Sequence, residues 1–138
     1  MASDVCGHKL DTFQTECLRV IMDPKCDLLA MAPTGSGKTV IALLAILRAF
    51  AKGKRAIYTS PIKTLSNQKY QEFKTWFKEK GVDAEVSLFT GDLRIAVPQG
   101  ARNELMVRTA NGALLGVGAH VCTETMLCLR MCTRGFRV

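Results

Sequence analysis

The stretch Ala32-Pro33-Thr34-Gly35-Ser36-Gly37-Lys38-Thr39 decides the fold of this chain. The apolar run Leu28-Leu29-Ala30-Met31 precedes it, and a longer apolar run, residues 40–47, follows it. This order predicts a strand, a glycine-bearing loop and a helix, which is the context of a phosphate-binding P-loop. The alternative is an ordinary glycine-rich turn, but an intact Gly-Lys-Thr between a strand and a helix argues against it.

The residue types in this loop suit a polyphosphate. Gly35 and Gly37 allow backbone conformations that aim N–H groups at phosphate oxygens, and the positive end of the helix dipole points to the same place. Lys38 can reach the β and γ phosphates, and the hydroxyl of Thr39 can ligate Mg²⁺. The predicted nucleotide-binding residues of the loop are Thr34, Gly35, Ser36, Gly37, Lys38 and Thr39.

Composition predicts one packed domain with an anionic partner. The chain has 138 residues, of which 48% are hydrophobic, and a formal net charge of +7. No acidic residue lies between Asp27 and Glu72, whereas seven basic residues do. Such a distribution favours an anionic partner, although a run of charges can also be only a solvated face.

The cysteines and the apolar runs indicate the compartment. None of the six cysteines forms a C-x-x-C pair, so reduced, partly buried thiols are the default expectation; a zinc site is a weaker alternative. That alternative uses Cys128 and Cys132, which share one face of a predicted helix. No secretory signal, with a charged stretch followed by an apolar one, opens the chain, and no apolar run reaches about 18 residues, so we expect a cytoplasmic or nuclear protein without membrane contact.

The rest of the chain reads as alternating strands and helices. Residues 1–9 are predicted to be a disordered leader and residues 10–138 one domain. Leu10-Asp11-Thr12-Phe13-Gln14 opens a helix, with Asp11 as N-cap and Gln14 at the capping-box position. Further helices are predicted at 38–51, 62–80 and 124–132, and strands at 27–31, 55–60, 85–89, 105–109 and 119–122. This alternation after a P-loop indicates right-handed βαβ units and a parallel sheet.

Four blocks of sequence resemble the first RecA-like domain of superfamily 2 helicases, in the superkiller-type branch of DExH-box RNA helicases. Leu10-Asp11-Thr12-Phe13-Gln14 looks like the adenine-reading Q motif, and the loop has the helicase form AxTGSGKT. The other two blocks are Thr59-Ser60-Pro61-Ile62-Lys63-Thr64-Leu65-Ser66-Asn67-Gln68-Lys69-Tyr70, similar to an RNA-binding motif, and Leu88-Phe89-Thr90-Gly91-Asp92.

The resemblance implies ATP and Mg²⁺ as cofactors, single-stranded RNA as a partner and, for a full-length form, exosome-linked proteins. It implies that Gln14 hydrogen-bonds adenine. The RNA-contacting residues that it implies are Ser60, Pro61, Lys63, Thr64, Asn67, Gly91 and Thr123. The residues of the third block also favour RNA binding apart from the resemblance. Pro61 in the first turn of a helix leaves N–H groups free for a phosphate, and Lys63 adds positive charge there. The alternative is a capped helix start with exposed polar residues.

Two alignments remain open near the carboxyl end. Val121-Cys122-Thr123-Glu124-Thr125-Met126-Leu127 resembles a Thr-Glu-containing motif of the branch, but Leu105-Met106-Val107-Arg108-Thr109-Ala110 can take the same role. The apolar spacing of the long helix predicts one buried face, made of Ile62, Leu65, Phe73, Trp76 and Phe77. Its aromatic residues are predicted to be core residues rather than base-stacking platforms.

Helicase hydrolysis of ATP needs a carboxylate pair after a later strand. After Asp92 the only acids are Glu104 and Glu124, and neither follows four apolar residues. We therefore expect an α/β, RecA-like P-loop domain with a mainly parallel sheet flanked by helices, incomplete at its carboxyl end. It would lack the DExH box and the second RecA-like domain, turn over ATP inefficiently and have unknown catalytic residues. The alternative is a stand-alone, non-catalytic nucleotide- or RNA-binding module, or a decayed helicase fragment.

Overall fold

The computed structural model describes residue 7 and residues 9–23, 28–33, 35–97 and 100–109, together with the backbone of strands at 120–122 and 126–129. Most of the predicted leader lies outside these residues. The helices are α1 (Thr12–Met22), α2 (Lys38–Ala51) and α3 (Lys63–Glu79). The strands are β1 (Leu28–Met31), β2 (Ala56–Ser60), β3 (Glu85–Phe89), β4 (Arg94–Ile95), β5 (Glu104–Thr109), β6 (His120–Cys122) and β7 (Met126–Leu129).

All seven of these strands join one sheet in the order β1-β7-β6-β2-β5-β3-β4. Strands β6, β2, β5 and β3 run parallel to one another, whereas β7 and β4 pair antiparallel with their neighbours. Ser60 lies opposite Thr109, and Phe89 lies opposite Arg108, so β2, β5 and β3 end at the same edge of the sheet. The prediction of a mainly parallel sheet flanked by helices is confirmed.

Local capping explains where α1 begins and where α2 ends. At the start of α1, the Gln14 amide donates to Asp11 Oδ1 at 2.7 Å and the Asp11 amide donates to Gln14 Oε1 at 3.2 Å. This is the predicted capping box. After α2, Gly53 adopts φ 65° and donates to Phe50, while Lys54 donates to Ala49, both at 2.9 Å. These two bonds form a Schellman motif, which requires a left-handed residue and explains the glycine.

The core lies between the sheet and the helices α2 and α3. Phe73 and Phe77 of α3 are each 1% exposed; Phe73 meets the ring of Tyr58 at 5.1 Å between centroids and Phe77 meets Phe50 at 5.9 Å. Trp76 packs edge-on against Phe77 and belongs to the same cluster. The prediction that these aromatic residues serve packing rather than base stacking is confirmed.

The predicted buried face of α3 is partly wrong. Ile62 was expected on it but is 58% exposed, and the buried residues are Ser66, Tyr70, Phe73 and Phe77. The reason is that α3 begins at Lys63, so Ile62 is the extended N-cap residue and does not share the helical periodicity. Two of the buried positions carry hydroxyl groups, which a search for apolar residues passes over.

The predicted helix over residues 124–132 is wrong. Residues 126–129 form β7, which pairs with β1 on one side and with β6 on the other. An apolar run of four residues suits a short strand buried within a sheet, and its backbone groups are satisfied by both neighbours. Cys128 therefore lies in a strand and not on the predicted helical face, and Cys132 lies outside the described residues.

Strand β4 was not predicted. It follows a turn in which the Thr90 amide donates to the Leu93 carbonyl at 2.8 Å and the Leu93 amide donates to Thr90 Oγ1 at 3.0 Å. This turn reverses the chain, so Arg94–Ile95 pairs antiparallel with the end of β3. A strand of two residues is too short for any period in the sequence to reveal it.

Burial shapes the chemistry of Cys17 on α1. This residue is a free thiol, 5% exposed. Burial raises the pKa of the Cys17 thiol above its ordinary value of 9.0, and the negative charges of Asp11 and Glu16 raise it further.

Within the described residues, no cluster of His, Cys, Asp and Glu could hold a metal ion, and none of the helices is long and apolar enough to cross a bilayer.

Candidate functional site

The loop between β1 and α2 has the backbone conformation that its glycines permit. Gly35 has φ 84° and Gly37 has φ 76°, and Gly37 is the N-cap residue of α2. A side chain would be strained at either φ value. The Ser36 amide donates to the Pro33 carbonyl at 3.3 Å, which closes the loop into a turn. Thr34, also predicted as a nucleotide ligand, lies outside the described residues.

Lys38 places a positive charge inside this loop. Its ammonium donates to the carbonyl oxygens of Ala32 and Pro33, each at 2.7 Å, and to Ser36 Oγ at 3.4 Å. Although charged, the residue is only 8% exposed, because the loop backbone surrounds it. Thr39 follows it in the first turn of α2 and is half-buried. A buried ammonium beside the N-terminus of a long helix favours an anion at this place.

Gln14 joins α1 to the same loop. Its Oε1 accepts the Asp11 amide, and its Nε2 lies 3.5 Å from the carbonyl oxygen of Gly37. The side chain is packed tightly, because Gln14 is 5% exposed and a Cβ atom on Gly37 would overlap Nε2. The structure thus brings together the Q-motif block, through Gln14, and the P-loop, which were identified separately in the sequence.

The predicted RNA-binding block divides into exposed and buried residues. Lys63, Thr64, Asn67 and Gly91 are exposed at the edge where β2 and β3 end. Ser60, in contrast, is 0% exposed. Its side chain therefore cannot face a nucleic acid in this structure.

A buried cluster of three hydroxyl groups explains the position of Ser60. Ser66 Oγ lies 2.5 Å from Ser60 Oγ and 3.0 Å from Thr109 Oγ1. Ser60 Oγ and Ser66 Oγ also each lie 3.2 Å from the Ile62 carbonyl oxygen. Because a hydroxyl group has one proton, one of the two serines can donate to this carbonyl while the other donates within the cluster. The cluster therefore ties the ends of β2 and β5 to the first turn of α3. The structural roles of Ser66 and Thr109 were not predicted; the signals were the place of Ser66 in the third block and of Thr109 in the alternative alignment of the Thr-Glu motif.

The start of α3 differs from the prediction in one detail. Pro61 was expected in the first turn, but it precedes the N-cap Ile62 and is exposed. Proline there keeps the chain extended before the helix rather than occupying the first helical position. Ile62 makes no side-chain capping bond to the first-turn N–H groups, and these groups, with Lys63 beside them, still form a positive helix end.

Lys63 contacts the turn after β3. Its ammonium lies 2.6 Å from Asp92 Oδ2, and its side chain would lie 3.4 Å from a Cβ atom on Gly91. The third and fourth sequence blocks therefore meet at one edge of the sheet.

Of the two acidic residues after Asp92, the structure describes the side chain of Glu104. Glu104 lies at the end of the sheet opposite to the one where β2 and β3 end. Glu104 begins β5, where it pairs with Arg55 at 3.2 Å and accepts from Ser87 Oγ at 3.3 Å. Parallel strands begin at the edge opposite the one where they end, so Glu104 is separated from the P-loop side. Thr123 and Glu124 lie outside the described residues.

Both stretches proposed for the Thr-Glu motif lead to the same edge. Thr109 ends β5 opposite Ser60, and β6 runs parallel to β2 on its other side, with Val121 opposite Thr59. The two alignments therefore place their strands on either side of β2, and both remain open.

Comparisons with known proteins agree with these blocks. The DEAD/DEAH box helicase family matches residues 11–118. The chain is 44% identical over 86 residues to the DExH-box ATP-dependent RNA helicase DExH9 of Arabidopsis thaliana and to the exosome RNA helicase MTR4 of Homo sapiens; each match covers 62% of this chain and 8% of the relative. It is 42% identical over 87 residues to the antiviral helicase SKI2 of Saccharomyces cerevisiae, covering 63% of this chain and 6% of that protein.

The chain thus matches less than a tenth of the length of these curated relatives. The relatives nevertheless confirm the resemblance to the superkiller-type DExH-box helicases, and the family match spans the Q-motif block, the P-loop and both later blocks. The chain belongs to the DEAD/DEAH box helicase family.

Proposed function

We propose that this chain binds ATP with Mg²⁺ at the P-loop and RNA at the edge formed by α3 and the turn after β3, as part of a DExH-box RNA helicase domain. The observation that carries the proposal is the buried Lys38 ammonium, which is held over the loop by two carbonyl oxygens at 2.7 Å. A charge buried this far needs strong acceptors, and phosphate oxygens are stronger acceptors than neutral carbonyls.

The residues at the P-loop fit a nucleoside triphosphate. Gly35 and Gly37 keep side chains away from the loop, so that phosphates can approach the backbone, and Lys38 can exchange its carbonyl partners for phosphate oxygens. The hydroxyl of Thr39 would hold Mg²⁺, which when bound supplies charge neutralisation at the phosphates. Gln14, already in contact with Gly37, would read adenine with its carboxamide.

Calorimetry of ATP binding tests this site. Replacing Lys38 with Ala removes a charge-assisted contact worth about 1.5–3 kcal/mol, so ATP should bind roughly ten- to hundredfold more weakly. Lys52→Ala, at the exposed far end of α2, is the matched control and should bind like the wild type. Gln14→Ala should narrow the preference for ATP over GTP. Equal ATP affinity of the wild type and Lys38→Ala would show that the ammonium takes no part.

The RNA-binding edge is proposed from exposed side chains of two segments. Lys63 supplies charge, Thr64 and Asn67 supply hydrogen bonds to phosphate or 2′-hydroxyl groups, and Gly91 leaves the approach open. Pro61 precedes them at the surface, while Ser60 supports the edge from the interior. Thr123 remains a proposed contact from the resemblance. Contacts to phosphate groups would supply most of the attraction, so binding of single-stranded RNA by this chain alone is expected to be weak and strongly dependent on salt.

Fluorescence anisotropy with a labelled single-stranded RNA tests this edge. Affinity should fall steeply with salt, with a slope of about 0.7 per phosphate contact for single strands. Lys63→Ala should weaken binding and reduce the slope, whereas Lys78→Ala, near the end of α3, should change neither. Binding that is insensitive to salt would contradict the proposed phosphate contacts.

A second candidate function is nucleotide and RNA binding without turnover. The observation that favours it is the position of Glu104, which is engaged by Arg55 and Ser87 at the amino-terminal end of β5. The name of one relative, the exosome RNA helicase MTR4, supports an exosome-linked partner for a longer form of the protein as a further proposal. A nuclear or cytoplasmic setting stays a proposal from the sequence. Measurement of phosphate release with and without RNA separates binding alone from hydrolysis.

A further inference from the structure

We infer that Asp92 limits the RNA affinity of this edge, because it holds Lys63 in an ion pair that a nucleic acid must break. The inference rests on the proposed RNA-binding function of the edge. It assigns a specific role to an acidic residue that lies among groups expected to attract phosphate.

The ion pair is held by the fold on both sides. Lys63 is the first residue of α3, so its backbone is fixed by the helix. Asp92 lies in the turn between β3 and β4, which two bonds between Thr90 and Leu93 close at 2.8 and 3.0 Å. The two charged atoms approach to 2.6 Å although their residues are 29 positions apart in the chain. The pair therefore follows from the tertiary structure rather than from local sequence.

The exposure of the pair makes it breakable. The side chains of Lys63 and Asp92 are 51% and 74% exposed, so water and salt screen their attraction. Exposed pairs of this kind correspond to an equilibrium factor of about two to five. A phosphate that binds Lys63 must overcome this factor, and the carboxylate left behind then repels the phosphate. Asp92 thus lowers RNA affinity in two related ways without blocking access.

The pair also affects the salt dependence. When RNA displaces Asp92 from Lys63, the freed carboxylate can attract a cation from solution, which offsets part of the counterion release that RNA binding causes. Removing the carboxylate should therefore steepen the salt slope by up to about 0.7, the value for one phosphate contact on a single strand.

The test compares Asp92→Asn with a variant that changes the same charge elsewhere. Asp83→Asn is the matched control, because Asp83 is exposed just before β3, at the other end of that strand. Binding of a labelled single-stranded RNA by the 138-residue chain is measured at several salt concentrations. We expect Asp92→Asn to bind about two- to fivefold more tightly with a steeper slope, and Asp83→Asn to resemble the wild type. ATP affinity should be unchanged in both.

A double-mutant cycle isolates the role of Lys63. If Asp92 acts by holding Lys63, the gain from Asp92→Asn should be much smaller in a Lys63→Ala background. The same gain in both backgrounds would mean that only net charge matters, and it would overturn the inference. Equal or weaker RNA binding by Asp92→Asn would also overturn it; weaker binding would indicate that the carboxylate itself contacts the RNA. If the wild type binds no RNA, the proposed function fails together with the inference, whereas the outcomes above leave that function intact.

Discussion

The carboxamide nitrogen of Gln14 lies 3.5 Å from the carbonyl oxygen of Gly37, across the boundary between α1 and the P-loop. The same side chain completes the capping box of α1 through its oxygen. One residue thus fixes the start of a helix with one end of its amide and contacts the phosphate-binding loop with the other. A substitution in the loop that displaces the Gln14 side chain should therefore also disturb the start of α1, and the reverse should hold as well.

Gly37→Ala should destabilise the chain for two separable reasons. The φ of 76° disfavours any side chain by about 1–2 kcal/mol, and the added Cβ would also displace the Gln14 carboxamide. Gly35→Ala is the control, because its φ is 84° but its Cβ would meet no atom within 4 Å. Urea unfolding should show a larger loss for Gly37→Ala than for Gly35→Ala.

The excess loss for Gly37→Ala should largely disappear in a Gln14→Ala background, since the overlap is then removed. An equal loss in both backgrounds would show that the two residues are not coupled. That result would also weaken the view that α1 positions the loop.

Ser66→Ala should destabilise the chain by about 1–3 kcal/mol, because it leaves the buried Ser60 and Thr109 hydroxyl groups short of a partner. Thr64→Ala, on the exposed side of the same turn, should change the free energy of unfolding by less than about 0.5 kcal/mol. Urea unfolding monitored by the fluorescence of Trp76 provides the measurement. Similar values for the two variants would mean that the hydroxyl cluster adds little stability.

Cys17 should make stability fall at alkaline pH. Its pKa is raised in the folded chain, mainly by burial, so the unfolded chain loses this proton first as pH rises. The contribution is therefore fully present below the ordinary value of 9.0 and is lost progressively as pH rises toward the folded pKa. The free energy of unfolding of the wild type should decline more steeply between neutral and alkaline pH than that of Cys17→Ala. Parallel curves would contradict this assignment.

We expect this chain to release phosphate from ATP no faster than its Lys38→Ala variant, with or without RNA. Binding a phosphate tail and cleaving it need different groups, and a water must also be oriented for in-line attack. Glu104 is held by Arg55 at the opposite edge of the sheet. RNA-stimulated release that Glu124→Gln abolishes would place the catalytic acid at Glu124 and contradict the expectation.

Local signals in the sequence predicted the first part of the fold well. The capping box at Asp11 and Gln14, the bounds of α2 and the bounds of β3 all depend on residues a few positions apart, and all are confirmed. The relations that define the candidate site are of another kind. Ser66 contacts Thr109, which is 43 positions away, and Lys63 contacts Asp92, which is 29 positions away. A pattern that spans only a few residues cannot predict contacts between residues so far apart in the sequence.

The differences between the predictions and the structure have the same origin. Ser60 has the chemistry of an RNA contact, but its side chain is buried by the packing of α3 and β5, which its residue type alone does not reveal. Residues 126–129 form a strand because their backbone pairs with β1 on one side and with β6 on the other. Lys63, Thr64 and Asn67 are exposed, as a role in binding RNA would require, and that role stays a prediction.

The two edges of the sheet, β1 and β4, differ in a way that bears on handling the protein. The β4 edge is two residues long and carries Arg94, features that discourage pairing with another chain. The β1 edge is four residues long and exposes Leu29 and Met31 by 57% and 72%. An open strand edge with aliphatic side chains is a template for strand addition. Among the described residues no strand pairs with β1 on its outer side, so in concentrated solution we expect aggregation to begin at this edge.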